Sequence, residues 1–166
     1  MTGDFTILEQ NSSMGRGGRL YNVAAGADAI YAGEPVVRSL GGTTVTRMYG
    51  SSTSGNTVPV VGTDYVVGIA TTNSTQTASV AGVVDVMPLN AGITYLAAPK
   101  VAASWDTQAE YDALVGKRML IDLASGTYTV LASDSANNGL IVAALDIAKY
   151  PGKVAVIFRQ ALSDVQ

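Results

Sequence analysis

From about residue 23 onward the chain is a train of short apolar runs, each stopped within a few residues by Gly, Asn, Asp or Pro. Runs of this kind, rich in Val, Ile, Thr and Tyr and about 4–8 residues long, are strands rather than helices. The pattern predicts strands at Asn22–Ala25, Glu34–Leu40, Thr43–Tyr49, Tyr65–Thr72, Ser79–Pro88, Ile93–Lys100, Arg118–Leu123, Thr127–Leu131, Leu140–Leu145 and Lys153–Ala161. Many short strands at near-regular spacing point to an all-β fold, a β-barrel or a β-sandwich.

The turns support this reading. Ala124, Ser125 and Gly126 fit a three-residue hairpin loop with Gly in the left-handed position. Gly41 and Gly42 separate two further strands, and residues 134–139 (DSANNG) form a longer turn. Ser51–Asn56 and Thr71–Thr77 read as flexible loops of low complexity. One short helix is expected, with Asp106 or Thr107 as its cap. Glu110, three residues past Thr107, completes a capping box, and Gly116 supplies the stop. Residues 146–150 can make one further turn ahead of Pro151 and Gly152. No internal repeat of solenoid length is visible.

Residues 1–22 differ in texture. Phe5–Leu8 is apolar, but residues 11–19 (NSSMGRGGR) combine polar side chains with three Gly and two Arg. Glycine at this density is costly to order without an outside partner. The segment reads as an extended N-terminal arm or long surface loop, with a plain disordered tail as the alternative, followed by a β-rich domain over residues 23–166.

Composition narrows the function. Charged residues make up 14% of the 166, against about 25% in ordinary domains, and apolar residues 48%. Such a weakly charged surface suits a chain packed against neighbours, although a monomer with a Ser/Thr/Asn surface would share it. The net charge of −3 argues against tracking nucleic-acid phosphates. With no Cys there is no disulfide framework and no thiolate site. The N-terminus lacks the basic and apolar pattern of a leader, and no apolar run approaches the roughly 20 residues of a membrane span.

The chain has no His, which excludes Ser-His-Asp and Cys-His catalysis. Asp106, Glu110 and Asp112 form the best carboxylate cluster, but one helix cannot supply both walls of a glycosidase cleft. Capping of the helix N-terminus accounts for them. Asp134 and the Asn137–Gly139 turn lack the spacing and closing Glu of a calcium loop. Residues 15–18 (GRGG) do not fit a phosphate loop. Asp85, within Val80–Met87, marks a half-exposed strand face or pairs with a neighbouring subunit. Trp105 and the tyrosines serve either as packing at the core edge or as interface anchors or a sugar platform. No cofactor and no metal is expected.

Several segments carry a family likeness. Tyr65–Ala70 (YVVGIA), Val80–Pro88 (VAGVVDVMP), Ala113–Leu123 (ALVGKRMLIDL), Tyr128–Val130, Gly139–Val142 and Val154–Phe158 together resemble the small capsid-stabilising proteins of tailed bacteriophages. The likeness is of texture and order over about residues 30–162. Residues 1–22 and Ser51–Asn56 have no counterpart in it. It implies a non-enzymatic decoration or cement protein, made in the host cytoplasm and carried on the outer surface of the virion. Its partners would be the major capsid protein and further copies of itself, as a homodimer or homotrimer, with no nucleic acid and no membrane. On this reading the arm grips the capsid through Asn11, Met14, Arg16, Arg19 and Tyr21, the arginines pairing with acidic groups. Another head-fibre or tail component, or a carbohydrate-binding β-module, are the alternatives.

Overall fold

A computed structural model describes residues 6–10, 18–48, 64–89, 93–124, 127–132 and 140–158. Among them lie eleven strands: β1 (Thr6–Gln10), β2 (Arg19–Val23), β3 (Pro35–Ser39), β4 (Thr44–Arg47), β5 (Asp64–Ala70), β6 (Gly82–Pro88), β7 (Ile93–Pro99), β8 (Arg118–Ala124), β9 (Thr127–Leu131), β10 (Leu140–Val142) and β11 (Val154–Phe158). The helix α1 spans Gln108–Asp112, after a 3-10 turn at Ala102–Ser104. Each run read as a strand overlaps one, though Asn22–Ala25 shares only Asn22 and Val23 with β2, and the all-β class holds. The choice between barrel and sandwich falls to the barrel. Strands β2, β4, β3, β5 and β6 close into one, and β7, β11, β10, β8 and β9 close into a second through the β7–β9 pairing.

The two barrels are one topology run twice. Taken in chain order as first to fifth, the strands of each close in the order first, third, second, fourth, fifth. In each, the first and third strands are parallel and every other neighbour is antiparallel. The registers correspond as well. Tyr21 opposite Val84 matches Ala97 opposite Val154, and Asn22 beside Thr44 matches Ala98 beside Thr129. Val37 opposite Thr46 matches Leu120 opposite Leu131, and Gly68 opposite Pro88 matches Leu140 opposite Phe158.

Both second strands are entered through the same joint. Gly33 (φ 87°) and Gly116 (φ 81°) take a left-handed conformation that only glycine adopts without strain. The Gly33 N–H donates to the Ala70 carbonyl at 2.7 Å, and the Ala70 N–H donates back to the Glu34 carbonyl at 2.8 Å. In the second barrel the Gly116 N–H donates to Val142 at 2.9 Å, and the Val142 N–H to Lys117 at 3.1 Å. The repeat unit is a whole barrel, far longer than a solenoid repeat, which is why no short period betrays it.

Inward-facing residues fill each barrel. Val23, Ile30, Val36, Val45, Val67, Val84 and Val86 form the core of the first. The larger core of the second contains Tyr95, Tyr111, Met119, Ile121, Tyr128, Leu140 and Val156, and it also takes in Val37, Met48, Val66 and Ile69 from the first. The outer side of β3 and β5 is therefore buried against the second barrel. This explains the unbroken burial of Val66–Ala70, because a strand covered on both faces shows no alternation. At the junction the Tyr128 hydroxyl donates to the Met48 carbonyl at 2.5 Å, both buried. Glu34, 1% exposed, accepts from the Arg47 guanidinium and from the Tyr31 N–H at 3.0 Å. Burial opposes the Arg47 charge, yet Glu34 and Tyr128 together raise its pKa above the ordinary value.

Three local expectations change. The barrel begins at Arg19, so the boundary drawn at residue 22 falls inside β2. The β8–β9 ladder runs to Ala124 opposite Thr127, which leaves a two-residue connection where three were expected. Thr71–Thr77 is no flexible loop: Asn73 Oδ1 accepts from the Ala32 N–H, Ser74 Oγ from Ile30, and Thr75 Oγ1 from Val83. Its polar side chains satisfy backbone groups of the first barrel. Ser51–Asn56 and residues 134–139 lie outside the described residues.

Glycine at position 68 is required by close approach, since a Cβ there would meet the Met87 carbonyl oxygen at 2.0 Å. Gly68→Ala should lower stability by about 3 kcal/mol through overpacking. Gly116→Ala, strained in φ but with nothing within 4 Å, should cost only about 1–2 kcal/mol. Chemical unfolding midpoints check the order. Lys100 reaches Asp122 at 2.6 Å, and Asp122 is fully buried. Lys100→Met should therefore cost about 3 kcal/mol, with partial recovery in the double variant carrying Asp122→Leu, read from the same unfolding curves.

Candidate functional site

The two barrels differ in what covers their outer surfaces. The β3–β5 side of the first barrel packs on the second, whereas its β2–β6 side faces solvent. On β2 the inward residues Tyr21 and Val23 are buried, while Leu20 and Asn22 point out. On β6 Val84 and Val86 are buried, Val83 is exposed and Asp85 is half-buried. This is the half-exposed face expected for Asp85, whose Oδ2 accepts from the Thr71 hydroxyl at 2.9 Å. At the Val23–Gly82 end of this flank lies a shallow groove of about 550 Å³, lined by Asn22, Val23, Thr44, Thr75 and Ala81–Val83. Its lining is apolar or hydroxyl- and amide-bearing, without a charged side chain. Val80, 60% exposed, belongs to the turn leading into β6.

An exposed face of Leu, Val, Thr and Asn on a closed barrel can bury apolar area against another protein and satisfy a few hydrogen bonds. Sequence reasoning did not single out this face. The alternation in Val83–Met87 was its one signal, and nothing in the sequence says which barrel flank stays uncovered.

The residues expected on the arm separate. Arg19 and Tyr21 lie on β2, Arg19 exposed with its guanidinium 5.6 Å from the Tyr21 ring centroid. Tyr21 is buried in the core of the first barrel, so it belongs to the body of the fold and not to an arm. Asn11, Met14 and Arg16 lie outside the described residues. Ahead of them, β1 pairs antiparallel with the first half of β7, from Thr6 opposite Leu96 to Gln10 opposite Ile93.

The helix carboxylates behave as a cap. Thr107 Oγ1 accepts from the Glu110 N–H at 3.3 Å, and Glu110 Oε2 accepts from the Thr107 N–H at 3.2 Å, the expected capping box. The Gln108 amide donates to Asp112 at 2.7 Å and to the Leu145 carbonyl at 3.0 Å, which ties the helix to the turn at 145–147. The adjoining hollow, about 540 Å³, is open and lined by Gln108, Asp112, Ala144, Leu145 and Asp146. Among the described residues no three acidic side chains gather as a metal site would require. Trp105 is 5% exposed and packs against Tyr111 with ring centroids 5.9 Å apart, so it offers no platform to a sugar. Tyr111 itself donates to the Ala143 carbonyl and accepts from the Ala155 N–H, both at 2.9 Å. Its burial pushes the phenol pKa up.

Among the described residues no helix is long and apolar enough to cross a membrane. No protein-family model matches the chain, and no curated protein or solved structure matches it either.

Hydrogen bonding and repulsion from Glu110 hold Asp106 above the usual carboxylate range, while the Thr107 hydroxyl holds Glu110 below it. On acidification Asp106 should protonate first and Glu110 last. The Glu110 contribution to helix stability persists above its unfolded pKa and disappears as pH falls through the lowered folded value. Carboxyl titration by NMR should show both, and Glu110→Gln should return Asp106 to its ordinary range.

Proposed function

We propose that this chain is a virion structural protein that binds the outer surface of a phage capsid and cements neighbouring major capsid subunits against internal pressure. The observation that carries the reading is the β2–β6 flank on a pair of closed barrels, with exposed Leu20 and Val83 beside a groove lined by no charged side chain. Such a flank can seat on a flat protein surface, and closed barrels can bear load without presenting long open edges. Asn11, Met14 and Arg16 ahead of β2, with the exposed Arg19 at its start, add to this contact. A clamp of this kind works by engaging several subunits at once, so modest single contacts multiply through effective concentration.

A head-fibre or tail component would share the same composition, and the capsid assay separates it. A carbohydrate-binding module loses support from the burial of Trp105. Purified protein mixed with undecorated capsids should bind saturably. Val83→Glu, which puts a charge into the groove, should weaken that binding at least tenfold, about 1.4 kcal/mol. Arg16→Ala should weaken it less and make it less salt-sensitive. Absence of saturable binding, or binding to tails in preference to capsids, would overturn the reading.

A further inference from the structure

The duplication allows each position of one barrel to be compared with its counterpart in the other, and one edge differs. In the second barrel the early part of β7 carries β1 on the side opposite β11, before β7 turns to β9 at Ala98 and Pro99. In the first barrel β2 meets β4 only at Asn22 and Val23. Among the described residues no strand lies against Gly18–Leu20 on that side. The matched registers put Leu20 where the second barrel has Leu96, and Leu40 where it has Leu123. Leucine occupies both places in both barrels, but the surroundings differ. Leu96 is half-buried against the core and Leu123 is 5% exposed, whereas Leu20 is 69% and Leu40 65% exposed. Leu20 and Leu40 also share one end of the first barrel, where β2 and β4 begin in parallel and the β3–β4 turn lies.

We propose that β2 pairs with β2 of a second copy of this chain, antiparallel across a two-fold axis, in the place that β1 takes on β7. Three observations select this occupant. Among the described residues there is one β1 for two equivalent edges, and the 69% exposure of Leu20 leaves the second edge open. The strand that fills the first edge runs antiparallel, which is the polarity a two-fold axis imposes on a strand meeting itself. The edge is apolar at its centre, since with Leu20 opposite Leu20 of the partner subunit, Arg19 comes opposite a tyrosine ring and not a like charge. Main-chain hydrogen bonds would supply the pairing, and the leucines would supply the buried area. The pairing would also bring the two β2–β6 grooves onto one assembly. That last consequence rests on the capsid reading, but the pairing does not.

The test uses the full-length protein alone, without capsids. Sedimentation equilibrium should give twice the 17.0 kDa chain mass. Leu20→Lys, at a solvent-exposed site, should raise the dimer dissociation constant at least tenfold with an unchanged circular dichroism spectrum. Val101→Lys, at another exposed apolar site, should leave the dimer intact. Hydrogen exchange at residues 19–21 should be slow in the dimer and fast in the Leu20→Lys variant. A monomer at every concentration, a trimer, a dimer indifferent to Leu20→Lys, or fast exchange at residues 19–21 in the dimer would each overturn the proposal. None of these outcomes bears on whether the groove binds capsids.

Discussion

Each barrel is shut by a parallel ladder only two residue pairs long, Asn22 and Val23 against Thr44 and Val45, or Ala98 and Pro99 against Thr129 and Val130. Without those pairs both sheets would be open and each core would lose a wall. The second closure contains a proline, which cannot donate. The Lys100 N–H takes over by donating to the Val130 carbonyl at 2.8 Å. The Lys100 side chain then reaches past β9 to Asp122 on β8, so an ion pair spans the seam where hydrogen bonding is thinnest. The first barrel uses no such strut at the corresponding position, where Ser39 replaces Asp122 and donates to Asp64.

The packing of one barrel on the other decides which surfaces remain for function. Val37, Val66 and Ile69 give the first barrel a second apolar face in addition to its core. Burying that face fixes the β3–β5 flank inward and leaves the β2–β6 flank outward. The Tyr128 hydroxyl on the Met48 carbonyl satisfies a buried group at the contact, and a hydrogen bond of that kind contributes about 1 kcal/mol net. More important is direction, since it sets one barrel's orientation against the other where apolar contacts alone would slide.

Much of this was legible in the sequence. Strand existence followed from β-branched runs between turn residues, and the capping box followed from Thr107 and Glu110. What escaped has physical causes. The strand β1 was hidden because Thr6–Gln10 (TILEQ) sits beside a glycine-rich stretch and pairs with a residue range some 85 positions away. The duplication escaped because topology and register constrain the inward or outward sense of a position more tightly than its identity. Gly68 matches Leu140 and Asp85 matches Ala155, yet Gly33 and Gly116 persist because their conformation has no substitute. Polarity misled at Thr71–Thr77, where hydroxyls and amides serve the backbone as fixed ligands. The binding face was the least legible part, since an outward Val on a strand reads the same whether a second barrel covers it or nothing does.

The position of β1 gives the fold a consequence in time. Residues of the first barrel all lie between β1 and the strand that β1 joins, so a chain emerging from the ribosome completes that barrel while β1 has no strand to dock on. Only after residues 93–96 appear can the leading strand be laid down. The second barrel thus holds a strand made before the first barrel, and β1 waits without its partner while residues 19–88 are synthesised.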